Sequence, residues 1–283
     1  MLQKNISTFI ACDSEYEDAD IVLFGAGFDS TTSFRPGTRF GPSAIRNESF
    51  GIETYSPYQD KDMTDYRFFD SGDIDIVFGG VRRTIADIAM RTDMILTDGK
   101  LPFMIGGEHL VTLGSVMAAK EKNDDLYIIH FDAHADLRDD YLGQQLSHAC
   151  VLRRCHELVG DGHIFQFGIR SGDCEEFRFA AEHTEMHKFD FGGLEKTVEK
   201  LKGKKVYFTL DLDVLDPSVF PGTGTPEAGG VSFEELRKAA SLVCGSLDIV
   251  GCDVCELSPV YDQSGVSTAA ACKIIREMLL ALS

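Results

Sequence analysis

The sequence predicts an α/β fold: one mainly parallel sheet with helices on both faces. Three observations point there. Short, continuous apolar runs rich in β-branched residues recur along the chain, as strands buried on both faces require. Stretches with apolar residues at helical spacing alternate with these runs. No Pro/Gly-rich linker divides the chain, so residues 1–283 are expected to form a single domain.

Taken in order, Asp20–Gly25 reads as the first buried strand. A turn-rich stretch follows, and Pro42 sits where it could open a helix through Ser43, Ala44, Ile45 and Arg46. Residues 54–65 are polar and irregular and read as a surface excursion. Ile85, Ile88, Ala89 and Ile95 set a helical period over Val81–Leu96, and Lys100–Ile105 returns to strand. The glycine pair Gly106-Gly107 marks a tight turn before Glu108 and His109, and a helix continues over Leu113–Lys122. Leu126–Ile129 reads as a buried strand of a parallel sheet. After an acidic loop, Ser147 is placed to cap a helix through Leu158, with His148 in its first turn, where the helix dipole favours a neutral imidazole. Then come strand Ile164–Arg170, helices Glu175–Glu182 and Lys196–Leu201, and strand Lys205–Leu210. Ser232 caps a helix over Phe233–Val243, Leu247–Val254 is a strand ending at Glu256, and Ser267 opens the terminal helix.

The net charge of −19, from 46 acids against 27 bases, argues against a nucleic-acid or anionic-membrane partner and is compatible with a small cationic substrate. Met1–Ile6 lacks the apolar core of a signal peptide, and no run reaches membrane-spanning length. Eight cysteines without framework spacing fit free thiols in a reducing, cytoplasmic setting. Cys252 and Cys255 form a CxxC, but within a β-like run their odd offset points them to opposite faces. They read as buried thiols.

The chemistry gathers at strand ends. Asp132, His134 and Asp136 follow one apolar run at a spacing of two, which in extended backbone aims all three the same way. Asp211 and Asp213 repeat the pattern after a second run. A calcium loop would need a third acid or amide and then glycine where this chain has Leu215 and Asp216. His109 and Glu256 follow two further strands, and ligands collect at the carboxyl ends of parallel strands. Four carboxylates and two imidazoles (His109, Asp132, His134, Asp136, Asp211 and Asp213) balance two divalent cations, and such a mixed set without thiolates suits manganese best.

With these motifs in register, the chain resembles the ureohydrolases, the arginase and agmatinase family, and most closely the bacterial agmatinases. The matching segments are GGEH at Gly106–His109, HFDAHAD at His130–Asp136, SHA at Ser147–Ala149, DLDVLDP at Asp211–Pro217, PGTGTPEAGG at Pro221–Gly230 and CELSP at Cys255–Pro259. The resemblance implies a three-layer α/β/α sandwich, a binuclear manganese site and a homo-oligomer, a trimer or hexamer. It implies one cation on His109, Asp132, Asp136 and Asp211, and the other on Asp132, His134, Asp211 and Asp213. A metal-bridging hydroxide would attack a guanidinium carbon held by Glu256, with Asp136 relaying a proton to the leaving nitrogen and His148 both contacting the substrate and exchanging protons with solvent. With agmatine as substrate, the products are putrescine and urea.

The loop 137–146 carries Asp139 and Asp140 where arginases hold an amino-acid carboxylate, so an amine tail is expected. Other guanidino or amidine substrates (guanidinobutyrate, guanidine, arginine, formiminoglutamate) would use the same core. A single-zinc deacetylase of the same fold would need fewer ligands, and a silent scaffold would be expected to have lost one. His130 is expected behind the ligands. His156, His163, His183 and His187 match no motif and are assigned to surface or core.

Overall fold

The computed structural model describes residues 7–77 and 79–283; the segment Met1–Ile6, on which the leader expectation rested, lies outside them. In chain order the first elements are β1 (Ile21–Ala26), α1 (Gly41–Ser49), β2 (Tyr55–Ser56), β3 (Lys61–Asp62), β4 (Phe68–Asp73), α2 (Val81–Thr97), β5 (Leu101–Gly106), α3 (Thr112–Lys122) and β6 (Leu126–Phe131). They are followed by α4 (Val151–Val159), β7 (Ile164–Ile169), α5 (Cys174–His183), β8 (Glu185–Lys188), α6 (Leu194–Leu201), β9 (Lys205–Asp211), α7 (Phe233–Ser246), β10 (Asp248–Cys255) and α8 (Val266–Leu282). No helix among the described residues is long and apolar enough to cross a membrane.

Eight strands form one sheet in the order β4-β1-β5-β10-β9-β6-β7-β8, every pairing parallel. Side chains alternate between its two faces. Ile129 and Phe131 of β6, with Val206, Phe208 and Leu210 of β9, join a core containing Ile45, Leu194, Leu236 and Met278, from α1, α6, α7 and α8. Leu126 and Ile128, with Tyr207, join a second core containing Ile88, Val116, Leu152 and Ala180, from α2, α3, α4 and α5. Two helical layers therefore sandwich the sheet, which is why its central strands read as unbroken apolar runs. Cys252 and Cys255 fall into the two different cores, as their odd offset requires.

Several expectations need correction. β4 was not foreseen because its last four residues, Asp70-Ser71-Gly72-Asp73, are polar. Asp70 is nonetheless fully buried, held by two bonds from the Arg46 guanidinium at 2.8 and 3.0 Å. β8 was missed for a similar reason: Glu185–Lys188 is a half-exposed edge strand with little apolar content. Residues 54–65 are more ordered than a polar excursion. They form the β2–β3 hairpin, with Ser56 Oγ donating to the buried Glu277 at 2.8 Å and Arg276 donating to the carbonyls of Glu53 and Tyr55. Ser147 heads a short 3₁₀ turn ahead of α4, and its hydroxyl donates to Cys150 Sγ instead of capping an amide. The terminal helix starts from Gly265 at φ +77°, while Ser267 Oγ receives the Gly222 amide and ties down the 221–226 loop. Ser232 caps α7 as expected, in a reciprocal box with Glu235.

Candidate metal centre

The four strands whose ends carry the candidate residues, β5, β10, β9 and β6, are consecutive neighbours in the middle of the sheet. Above their carboxyl ends opens a cavity of about 200 Å³, lined by His134, Asp136, His148, Asp211 and Glu256, and also by Arg138, Tyr141 and Glu176. His109, Asp132 and Asp213 lie buried against the lining residues. His109 Nδ1 stands 3.0 Å from Asp136 Oδ2, 3.1 Å from Asp132 Oδ2 and 3.6 Å from Asp211 Oδ2. His134 Nδ1 stands 3.1 Å from Asp213 Oδ2 and 3.4 Å from Asp132 Oδ1. All eight sequence-derived candidates thus meet in one place.

The route to that convergence differs from simple strand parity. β6 stops at Phe131, and the chain beyond it is irregular, with Asp136 at φ +53°. Bonds to the neighbouring segment hold it, from Ala135 N to Ser171 O at 2.9 Å and from Arg170 N to Ala133 O at 2.8 Å. Asp211 accepts the Asp213 amide at 2.8 Å, turning β9 into a short 3₁₀ turn that swings Asp213 toward His134. Glu256 also takes a left-handed conformation, at φ +66°, and its Oε1 accepts the His109 amide at 2.8 Å. Non-glycine residues there cost on the order of 1 kcal/mol each and cluster at functional sites. Gly107 is needed for close approach: a Cβ would stand 2.1 Å from Phe28 O.

The hydrogen-bond network assigns the histidine nitrogens. Thr209 Oγ donates to Asp253 at 2.7 Å, so at 2.9 Å it accepts from His109 Nε2–H and leaves Nδ1 facing the carboxylates. Gln166 Nε2 donates to Ala135 O and, at 3.1 Å, to His130 Nδ1. His130 Nε2–H therefore donates to Asp132 Oδ2, at 2.8 Å, placing it behind that acid as expected.

Electrostatically the site is unbalanced toward negative charge. Burial, then the charges of Asp213, Asp132 and Glu256, pushes Asp211 well above the usual carboxylate range. Burial and the Asp213 charge do the same to Glu256. Burial and Asp132 raise Asp136 to about 7. Converging buried acids of this kind are what cations neutralise. The donor atoms of Asp132, His134 and Asp213 lie within 4.8 Å of one another, as do those of His109, His130 and Asp132, and the oxygen/nitrogen set fits a hard or borderline divalent ion. His148 is lowered to about 4, by burial first and the His134 charge second, which keeps it neutral.

Two residues not assigned a role from the sequence complete the site: Glu108, inside the GGEH segment, and Thr31, which no motif marks. Glu108, wholly buried, accepts the Thr31 amide at 2.9 Å, the Thr31 hydroxyl, and the Thr32 hydroxyl at 3.1 Å. Thr31 Oγ in turn accepts the His148 amide at 3.2 Å, and Ser33 Oγ lies 3.4 Å from His148 Nε2. Asp139 and Asp140, in contrast, do not face the cavity. Asp139 accepts from Arg154 at 2.6 Å, Asp140 accepts the Gly143 amide at 2.8 Å, and both line a separate surface depression. The amine-tail argument built on them does not hold.

Comparison with known proteins agrees with this geometry. Residues 19–281 match the profile of the Arginase family. The agmatinase of Bacillus subtilis (strain 168) is 49% identical over 276 residues, covering 96% of this chain and 95% of the relative. The N(1)-aminopropylagmatine ureohydrolase of Thermococcus kodakarensis is 40% identical, over 86% of this chain and 84% of its own. The crystal structure of a candidate agmatinase from Clostridium difficile superposes with a TM-score of 0.93 at 52% identity, covering 95% of this chain and 99% of that one. The chain belongs to the arginase family of amidinohydrolases.

Proposed function

We propose that the protein hydrolyses agmatine to putrescine and urea with two manganese ions, as one domain spanning residues 1–283 in a reducing, cytoplasmic compartment. The observation that carries this reading is the acid-lined cavity above β5, β10, β9 and β6. Asp136, Glu176, Asp211 and Glu256 face it, while its one guanidinium, on Arg138, pairs with Asp173 at 2.7 Å and Glu176 at 3.4 Å. Such a lining favours a cationic substrate. The agmatinase relatives and the cavity volume of about 200 Å³ support a small guanidinium with a short tail.

One cation would be held by His109, Asp132, Asp136 and Asp211, and the other by Asp132, His134, Asp211 and Asp213. When bound, the pair supplies Lewis acidity and a nucleophilic water near neutral pH. The chain's own residues do the rest. The His109 amide pins Glu256 Oε1, leaving Oε2 to take a guanidinium N–H and orient the planar cation over the acids. Asp136, in the cavity lining and 3.0 Å from His109 Nδ1, is placed to pass a proton to the nitrogen that leaves as the carbon–nitrogen bond breaks. His148 is kept neutral with Nδ1 unpartnered inside the protein, which suits proton exchange through water. A homo-oligomer, a trimer or hexamer, is part of the same proposal; the exposed apolar side chains of Phe34 and Val260, near Arg35 packed on Phe34 and Tyr261, are surface that an interface would cover.

The test is urea release by the manganese-loaded protein on agmatine, arginine, guanidinobutyrate and guanidine in parallel. Turnover of agmatine far above the others is expected. Turnover of a carboxylate-bearing substrate instead would replace agmatine while keeping the reaction class.

A further inference from the structure

We infer that the protein carries a second, peripheral cation site at His156, Asp161 and His183, taking a borderline transition ion such as Zn²⁺. The three residues come from different elements: His156 from the last turn of α4, Asp161 from the turn before β7, and His183 from the end of α5. Asp161 Oδ1 lies 2.7 Å from His156 Nε2 and 2.7 Å from His183 Nδ1. All three donor atoms fall within 4.8 Å of one another. Two imidazoles and one carboxylate are three of the four positions that zinc fills in open, water-bearing sites.

The arrangement is braced before any ion arrives. His183 stacks on Phe179 at 4.2 Å and His156 meets the same ring edge-on at 4.9 Å. The intervening turn is fastened at both ends: Gly160 N donates to His156 O at 2.8 Å, and Gly162 N donates to His183 O at 2.9 Å. Fixed rings lower the ordering cost of coordination. The electrostatics also favour a cation, since α4 and α5 both end here and their carbonyl ends carry partial negative charge. Glu182, 4.0 Å from His183 Nε2, adds a carboxylate on the far side of that ring, where it can orient the imidazole. Arg153, over the face of Phe179 at 3.6 Å, and Arg178, paired with Glu175, are opposing charges in the adjoining depression. Asp161 is two-thirds exposed and can swing from hydrogen-bond to coordination distance. None of these residues touches the metal centre described above, and two imidazoles among three donors favour a borderline ion more than the carboxylate-rich central set does.

The experiment is equilibrium dialysis of the manganese-saturated protein against Zn²⁺ with Mn²⁺ held in large excess, alongside anomalous diffraction at the zinc edge from a zinc-soaked crystal. Wild type is expected to bind one zinc ion per chain beyond the central pair, with an anomalous peak between His156 and His183. His183→Ala and Asp161→Asn should each weaken that binding at least tenfold while leaving urea release unchanged. Zinc should also raise the melting temperature of wild type but not of either variant. Equal zinc uptake by wild type and both variants, or an anomalous peak only at the central site, would overturn the assignment.

Discussion

Thr31 links buried Glu108 to the backbone of His148, and removing its hydroxyl tests what that link does. Thr31→Val keeps the shape and leaves no cavity, so only hydrogen bonds change. One lost bond runs to a buried carboxylate, worth about 1.5–3 kcal/mol, and the other comes from the half-buried His148 amide, worth about 0.5–1.5 kcal/mol. Glu108 keeps the Thr31 amide and the Thr32 hydroxyl, so the expected loss of stability is about 2–4 kcal/mol. Calorimetry of the manganese-loaded protein measures it. The kinetic effect is separate. A shift of about 1 Å in a group near the chemistry can cost roughly a hundredfold, so kcat should fall about 10- to 100-fold while KM moves little. Thr31→Ser keeps both bonds and should restore kcat. Full kcat in the valine variant, with the stability loss present, would show that the Glu108–Thr31 anchor serves folding alone and does not position His148.

Three other perturbations have definite outcomes. Thr209→Val leaves the His109 Nε2–H without its acceptor, and loss of such an orienting bond should weaken manganese binding about 10- to 100-fold in a chelator competition. Arg46→Met strands Asp70 inside the protein with only the Phe9 and Gly72 amides, so unfolding should cost about 3–5 kcal/mol less, read by chemical denaturation. At Asp262, burial opposes the charge, but bonds from Ser264 and Ser267 outweigh it and hold the carboxyl at about 2. A depressed folded value contributes stability that is complete above about pH 4 and lost as pH falls toward 2. The advantage of wild type over Asp262→Asn, on the order of 1–2 kcal/mol after solvent screening, should therefore shrink across that window in melting curves.

The central strands were readable because burial on both faces forces an uninterrupted apolar run, as in Leu126–Phe131 and Lys205–Asp211. The edge strands β4 and β8 were not, since an edge tolerates polar residues and β4 hides its acid behind Arg46. The site acids were legible as chemistry, being residues of metal-binding type placed directly after those runs. Parity identified Asp136 although the backbone around it is not extended; what brings it to His109 is a left-handed turn that no local pattern announces. Thr31 is 77 residues from Glu108 and 117 from His148, so its part depends on tertiary contact alone. Asp139 and Asp140 failed for the matching reason, because Arg154 and Gly143 draw them away.

The strand order bears on how the chain is made. β5 and β6 are adjacent in sequence, yet β9 and β10, among the last strands to leave the ribosome, lie between them. Until residues 248–255 are inserted there is no continuous sheet, only two partial ones, β4-β1-β5 and β9-β6-β7-β8, each with an unpaired inner edge. His109 rides on the first and the aspartate cluster on the second. β10 is thus a keystone, and capture of the proposed cations would mark completed synthesis: a nascent or truncated chain ending before Asp248 holds the pieces of the centre on two separate strand sets.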